Sequence, residues 1–244
     1  MVEKITSKKV KIQEDKREKF KFTWDKIILL VLVAVFILLY SVNNVIPTIY
    51  FGTYNSFSFD VAGSGNGRPN GITQNGTYLW IVDDDDAGGQ VYQYWMNGTF
   101  TESYFNTSGS GNAEPRGITQ NGTYFWIVDY TDAQVYQYWM NGTFTGSNFS
   151  TSGSGNAEPY GITQNGTYFW ISDDVADEVY QYWMNGTYAS SSFDTARPGN
   201  GNPRGITQNG TYFWTTDDVD IKVYQYNMFA SEIFYIRTNN TGST

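Results

Sequence analysis

One acidic residue recurs at the same place in a repeated unit, and it has the chemistry to bind a cation. A short apolar segment, YFWIVD in its second copy, ends each time in an aspartate: Asp83, Asp129, Asp173 and Asp217. Carboxylate oxygens are the ligands that a hard cation such as Ca²⁺ prefers, so one interpretation is a Ca²⁺ site. The other is a turn cap, in which each carboxylate accepts hydrogen bonds from backbone N–H groups. The run Asp83–Asp86 lacks the EF-hand spacing, so both interpretations stay open.

The side chains that most enzymes use are missing from this chain of 244 residues. It has no cysteine and no histidine, which removes thiolate nucleophiles, disulfides and the usual general base near neutral pH. It also has no G-x-S-x-G elbow and no phosphate-binding loop. We therefore predict that the chain is not an enzyme and has no cofactor other than the possible Ca²⁺. A carboxylate- or metal-dependent hydrolase or lyase is the less favoured alternative.

The aspartates belong to a unit of about 44 residues that occurs four times. The block GITQNGTY begins at Gly71, Gly117, Gly161 and Gly205. Each unit divides into four short strands (a, b, c and d), and Asn-Gly pairs between a and b and between c and d predict type I′ hairpin turns. Strands b and c carry large residues on both faces, as expected of a sheet that is packed on both sides. The sequence predicts an all-β fold, a β-propeller of four-stranded antiparallel blades.

The repeat resembles a known family. The pattern P-x-G-I…N-G-x-x-x-W-I-x-D…V-Y-x-Y…G…F, from Pro69 to about Ile236, is similar to NHL-type propeller repeats. The resemblance implies blades around a central channel and a binding or scaffolding role. NHL-type propellers typically have six blades, whereas this chain has four repeats.

The two ends of the repeat array leave the closure of the ring open. The segment Ser56–Val61 aligns with strand d of a preceding blade, and Glu232–Arg237 offers the last repeat a strand d of its own. We expect a closed ring of four blades. A symmetric assembly of several chains, a homo-oligomer, is the alternative.

Variation among the repeats falls mainly on one face of the expected propeller. The Asn-Gly turns lie on the opposite face, whereas the b–c loops and the residue between Pro and Gly lie on the variable face. That residue is Asn70, Arg116, Tyr160 or Arg204. Such variation is typical of a binding surface and also of tolerant loops. We predict a recognition or adhesion module that binds an extracellular protein or glycan through this acidic face. The alternative is a structural envelope protein that assembles by propeller–propeller contacts.

The N-terminal region predicts a membrane anchor. Residues 1–26 hold nine of the 15 basic residues, and the wholly apolar or aromatic stretch 27–40 follows them. A helix over 27–47 is long enough to cross a bilayer, and the positive-inside rule places the N-terminus in the cytoplasm. A cleaved signal peptide is less favoured because no A-x-A-like site follows. The expected organisation is a cytosolic tail (1–26), a transmembrane helix (27–47), a linker (48–55), an extracellular propeller (56–238) and a tail (239–244).

The charge and the sequons of the expected ectodomain agree with this placement. The residues after position 26 include six basic and 19 acidic ones, so a nucleic-acid partner, which needs a basic face, is not expected. N-x-[ST] sequons predict glycosylation of a surface protein. They begin at Asn75, Asn97, Asn106, Asn121, Asn141, Asn148, Asn165, Asn185, Asn209 and Asn239. Seven of them are Asn-Gly-Thr, and the turns themselves require the Asn-Gly pair.

Overall fold

The computed structural model describes Val31 and residues 56–84 and 88–228. The chain divides into two compact units, Met1–Phe57 and Ser58–Thr244. Val31, which is helical and exposed, belongs to the first unit. The rest of the predicted span 27–47, the cytosolic tail, the linker and the tail 239–244 lie outside the described residues. Within the described part of the chain, no helix is long and apolar enough to cross a membrane.

The second unit is a four-bladed β-propeller, as predicted. Each blade is an antiparallel meander in which strands pair in chain order. Blade 1 comprises β1 (Pro69–Gln74), β2 (Tyr78–Asp83), β3 (Gln90–Trp95) and β4 (Phe100–Asn106). Blade 2 comprises β5 (Pro115–Gln120), β6 (Tyr124–Asp129), β7 (Gln134–Trp139) and β8 (Phe144–Ser150). Blade 3 comprises β9 (Pro159–Gln164), β10 (Tyr168–Asp173), β11 (Glu178–Trp183) and β12 (Tyr188–Asp194).

Blade 4 has three strands among the described residues. They are β13 (Pro203–Gln208), β14 (Tyr212–Asp217) and β15 (Lys222–Asn227). The fourth strand predicted at Glu232–Arg237 lies outside the described residues. One-turn 3₁₀ helices at Ala62–Ser64, Ser108–Ser110 and Ser152–Ser154 precede blades 1, 2 and 3.

The Asn-Gly turns form as predicted in position but not in type. Gly122 has φ +85°, whereas Asn121 is not among the residues with positive φ. The Asn121 Oδ1 atom instead accepts hydrogen bonds from the backbone N–H groups of Thr123 and Tyr124, each at 3.0 Å. The predicted type I′ turn, which needs positive φ at both central residues, is therefore wrong. The asparagine stabilises the turn through its side chain, and only the glycine takes up the left-handed conformation.

The core consists of aromatic and aliphatic side chains between blades. At the first junction Trp80 of blade 1 meets Phe125 of blade 2 edge-on, with ring centroids 5.1 Å apart. The same pair recurs at the next two junctions, Trp126 with Phe169 at 5.1 Å and Trp170 with Phe213 at 5.0 Å. Each inner sheet is therefore buried on both faces, which explains why strands b and c do not alternate between apolar and polar residues.

The innermost strands contact one another in the order β1, β5, β9, β13. They surround a central cavity of about 450 Å³ lined by the four Gly-Ile-Thr segments of the repeats. Phe59 and Val61 pack on the blade 1 cluster of Ile81, Tyr92 and Tyr94. Phe105, from strand d of blade 1, occupies the equivalent place on blade 2. The segment before blade 1 thus occupies the place of a preceding strand d, as its sequence indicated.

Candidate functional site

The four variable residues between Pro and Gly lie together at one end of the central channel. Each is the second residue of an innermost strand, so all four are placed where those strands enter the propeller. The Tyr160 hydroxyl of blade 3 donates a hydrogen bond of 3.0 Å to Asn70 Oδ1 of blade 1. This bond joins two blades that are not neighbours in the chain. We call the group Asn70, Arg116, Tyr160 and Arg204 the channel mouth.

Tyr160 is the centre of this group. Arg204 Nη1 donates a hydrogen bond of 3.1 Å to the Tyr160 hydroxyl, and the Arg204 guanidinium carbon lies 4.7 Å from the centre of the Tyr160 ring. The Arg116 guanidinium carbon lies 5.6 Å from the same ring centre. A tyrosine between two guanidinium groups is held by cation–π attraction as well as by hydrogen bonds. The channel mouth is therefore an ordered polar surface with one aromatic ring at its centre.

A second ring of side chains surrounds the channel mouth. Its members are the residues that follow the four repeated aspartates: Asp84, Tyr130, Asp174 and Asp218. Arg204 Nη2 lies 3.1 Å from Asp218 and 3.8 Å from Asp174, and Arg116 pairs with Asp84. Burial raises the pKa of Asp174, an effect that the nearby Arg204 guanidinium partly offsets. These acids fix the guanidinium groups in place.

Tyr130 interacts with a further acid at the rim. Its hydroxyl donates a hydrogen bond of 2.5 Å to Glu158 Oε2. This bond raises the pKa of Tyr130 to about 12, and burial adds to the effect. The Arg116 guanidinium lies 5.4 Å from the Tyr130 ring centre. Acids outnumber the arginines around the mouth, and the site is therefore suited to a partner that brings positive charge.

The sequence indicated the inner ring of this site but not the outer one. The outer residues lie in the b–c loops, whose sequences vary among the repeats. No feature of the sequence distinguishes the first position of those loops. A usable signal was the register, since Asp129 lies opposite Pro115 across the β5–β6 ladder. The residue after the aspartate must therefore lie beside the start of the innermost strand.

The four repeated aspartates make the contacts of turn caps. Asp129 accepts hydrogen bonds from the N–H groups of Ala113 at 2.9 Å and Asp132 at 2.8 Å. Asp173 accepts from Val175 and Ala176, at 3.0 and 2.8 Å. All four are buried: Asp83, Asp129, Asp173 and Asp217.

The Asp129 carboxylate joins the loop that leads from blade 1 into blade 2 to the b–c loop of its own repeat. In the ranges 56–84 and 88–228, no group of three or more acidic side chains is arranged to hold a metal ion. The Ca²⁺ site stays a prediction, which a calorimetric titration with Ca²⁺ tests.

Nine of the ten sequon asparagines lie in the described ranges, and all nine are exposed. Those of the Asn-Gly turns use Oδ1 within the turn, as Asn165 does for Thr167 and Tyr168. Asn239 lies outside the described residues. Glycosylation stays a prediction.

The chain matches no protein-family model, and no curated protein resembles it in sequence. Many solved structures share its fold. Glutaminyl cyclase from Myxococcus xanthus gives a TM-score of 0.50 at 13% identity, over 62% of this chain and 62% of that one. A streptogramin B lyase gives 0.45 at 18% identity, over 66% of this chain and 55% of that one. A nidogen/laminin complex gives 0.46 at 18% identity, over 65% and 59%.

The comparisons confirm the propeller fold and nothing finer. This chain spans 55–62% of the length of those three proteins. The specific NHL assignment stays a prediction. The prediction that the chain is not an enzyme is wrong as drawn, because the glutaminyl cyclase shows that proteins of this fold catalyse reactions. A fold hosts many activities, and the missing histidine and cysteine do not decide the question.

Proposed function

We propose that this chain is a binding module that holds an extracellular protein partner at the channel mouth. One observation carries the proposal. The repeats are nearly copied, yet the position between Pro and Gly differs in almost every copy, and the structure brings these unlike side chains into contact across the channel. Variation alone would also suit a tolerant loop, and the ordered contacts among these side chains are what favour a binding surface.

The chemistry of the mouth indicates the kind of partner. Asp218, on the rim, is about half exposed beside Arg204, and Glu114 is similarly exposed beside Arg116. Exposed carboxylates attract a cationic group. A polypeptide segment with lysine or arginine side chains fits this surface. The helix predicted over 27–47 anchors the module in the membrane, with the propeller outside the cell.

The test uses two synthetic peptides of equal length and opposite charge, one of alternating lysine and serine and one of alternating glutamate and serine. Each is titrated into the detergent-solubilised full chain and followed by calorimetry. We expect binding of the lysine peptide only, weakened several-fold by added salt because the attraction is between exposed charges.

A matched pair of variants locates the binding surface. Asp218→Asn removes a rim carboxylate that contacts Arg204, and it is expected to weaken binding of the lysine peptide. Asp220→Asn removes an equally exposed acid of the same loop, which pairs with Lys222 instead, and it serves as the control. Equal binding of both peptides, or an equal effect of both variants, would contradict the proposal. Binding to a glycan array but to neither peptide would assign the mouth to sugars instead.

A further inference from the structure

Three contacts recur at every junction between successive blades, and the first is a ladder of glutamine side chains. Gln120 Nε2 donates a hydrogen bond of 2.8 Å to the backbone carbonyl of Gln74 in the preceding blade. Gln164 and Gln208 repeat this bond to the preceding glutamine, at 3.0 and 2.9 Å. The ladder ends with a donor, the Gln74 side-chain amide, at blade 1. It ends with an acceptor, the Gln208 carbonyl, at blade 4.

The second contact is a close approach of backbones that only glycine permits. A Cβ atom on Gly71, Gly117 or Gly161 would lie within 2.5 Å of a carbonyl oxygen in the next blade. Around Gly205, the fourth member of this set, the nearest described atoms belong to Thr216 of its own blade. Because Gly205 also has no Cβ atom, a neighbouring backbone can approach it as closely as at the other three glycines.

The third contact is apolar. Val91, Val135 and Val179 on strand c are 0–1% exposed, because the next blade covers them. Their counterpart Val223 in blade 4 is 65% exposed. On the facing side, Ile118 and Ile162 are 4% exposed, whereas Ile72 of blade 1 is 56% exposed. Blade 4 thus presents one half of a blade junction and blade 1 presents the other half.

The outer part of the blade 1 face strengthens this complementarity. Phe59 lies so close to Gly98 that a Cβ atom on Gly98 would be 2.4 Å from the Phe59 ring. Phe105 lies equally close to Gly142. Phe59 therefore stands where the strand d of a preceding blade belongs. Among the described residues, blade 4 has three strands, and the strand d predicted at Glu232–Arg237 lies outside them.

We propose that a second copy of this chain docks its blade 1 on blade 4, so that the two exposed faces form the same junction found three times within one chain. In this contact Gln74 donates to the Gln208 carbonyl of the other copy. Gly205 receives the other copy's backbone near Asn70, and Ile72 covers Val223. Because the two faces differ, the contact is head-to-tail, and a two-fold symmetric dimer of eight blades is the smallest assembly of several chains in which every such face is paired.

Cysteine cross-linking tests the contact directly, since the chain has no cysteine of its own. Ile72→Cys and Val223→Cys are made as separate full-length proteins and mixed under oxidising conditions. We expect a disulfide-linked dimer in the mixture and little in either protein alone. In the variant that carries both Ile72→Cys and Val223→Cys, we expect the disulfides to link two chains. Closure of that disulfide within a single chain would show that one copy closes its own ring, and it would overturn the proposal.

The mass of the particle in detergent provides the second measurement. The unmodified chain is expected at twice the mass of one chain, and Val223→Lys is expected to lower the dimer affinity at least tenfold. Val223 is largely exposed, so this variant retains the fold. Val219→Lys, at a 70% exposed position of the adjacent loop, is the matched control and should leave the dimer intact. A monomer up to about 100 μM, or a dimer that Val223→Lys does not weaken, would refute the contact. Neither result bears on peptide binding at the channel mouth.

Discussion

The junction between blades 2 and 3 and the exposed faces of blades 1 and 4 come from the same repeated sequence, yet their surroundings differ. Val135 at the inner junction is fully buried, and Val223 at the equivalent place in blade 4 is largely exposed. The strand that carries each valine has the same length and the same register with the strand before it. A repeat therefore determines which side chains a blade presents, and the neighbouring blade determines whether they are buried. Differences in stability should follow the neighbour rather than the repeat.

The largest effect is expected for Phe169→Ala in blade 3. This ring is fully buried and packs on Trp126 and Phe149 of blade 2. Its loss should lower the free energy of unfolding by about 3–5 kcal/mol, through lost burial and the cavity left behind. The control is Leu79→Ala, the equivalent and only partly buried position of blade 1, with an expected loss of about half that size. Denaturant unfolding measures both, and equal losses would erase the difference between inner and end blades.

A pair of identical substitutions sharpens the comparison. Val179→Ala at the inner junction should cost about 1.5–3 kcal/mol, because the removed methyl groups were buried. Val223→Ala should change the unfolding free energy of the single chain by less than about 0.5 kcal/mol, as for other exposed positions. Thermal unfolding of dilute protein separates the two. A large loss for Val223→Ala in monomeric protein would mean that this face is covered within the chain.

The repeated aspartates test whether the turn caps, too, differ in stability between inner and end blades. Asp129 in blade 2 and Asp217 in blade 4 both accept backbone hydrogen bonds from their own repeat. Replacing either by alanine removes a charged acceptor from backbone N–H groups of the turn, at a cost of about 1–3 kcal/mol. We expect similar losses in unfolding free energy for both variants. If only the Asp129→Ala variant loses stability, the turn caps depend on neighbouring blades.

The smallest effect is the alkaline sensitivity of the inner junctions. Burial raises the pKa of Tyr138 and of Tyr182 to about 12, above the ordinary value near 10. The folded protein holds these phenolic protons more tightly than the unfolded chain does. Their contribution is therefore complete below about pH 10 and is lost as the pH rises toward 12.

Denaturant unfolding at about pH 8 and pH 11 measures this loss, which should be roughly 1 kcal/mol for each tyrosine. The double variant Tyr138→Phe and Tyr182→Phe should show a smaller decrease between the two pH values. An unchanged decrease would mean that other groups cause the alkaline instability.

Most of the fold could be predicted from the sequence, because its signals are local and occur four times. The period, the Asn-Gly pairs and the two-sided apolar strands each depend on residues close together in the chain. The turn type was not predicted correctly, because an Asn-Gly pair fits two kinds of turn. In one the asparagine has positive φ, and in the other its side chain accepts the N–H groups of the turn. The outer ring of the site was missed, because Asp84 and Tyr130 acquire a role only beside Arg116 of another strand.

The sequence by itself determined the strands, the turns and the identity of the four residues that vary between otherwise equal repeats. Tertiary structure alone decided that Tyr160 reaches Asn70 across the channel, and that Ile72 and Val223 are left exposed. The physical reason is the distance along the chain between the residues that interact. Backbone pairing and turn capping involve residues a few positions apart, whereas burial and contact across the channel depend on where blades far apart in the chain are placed.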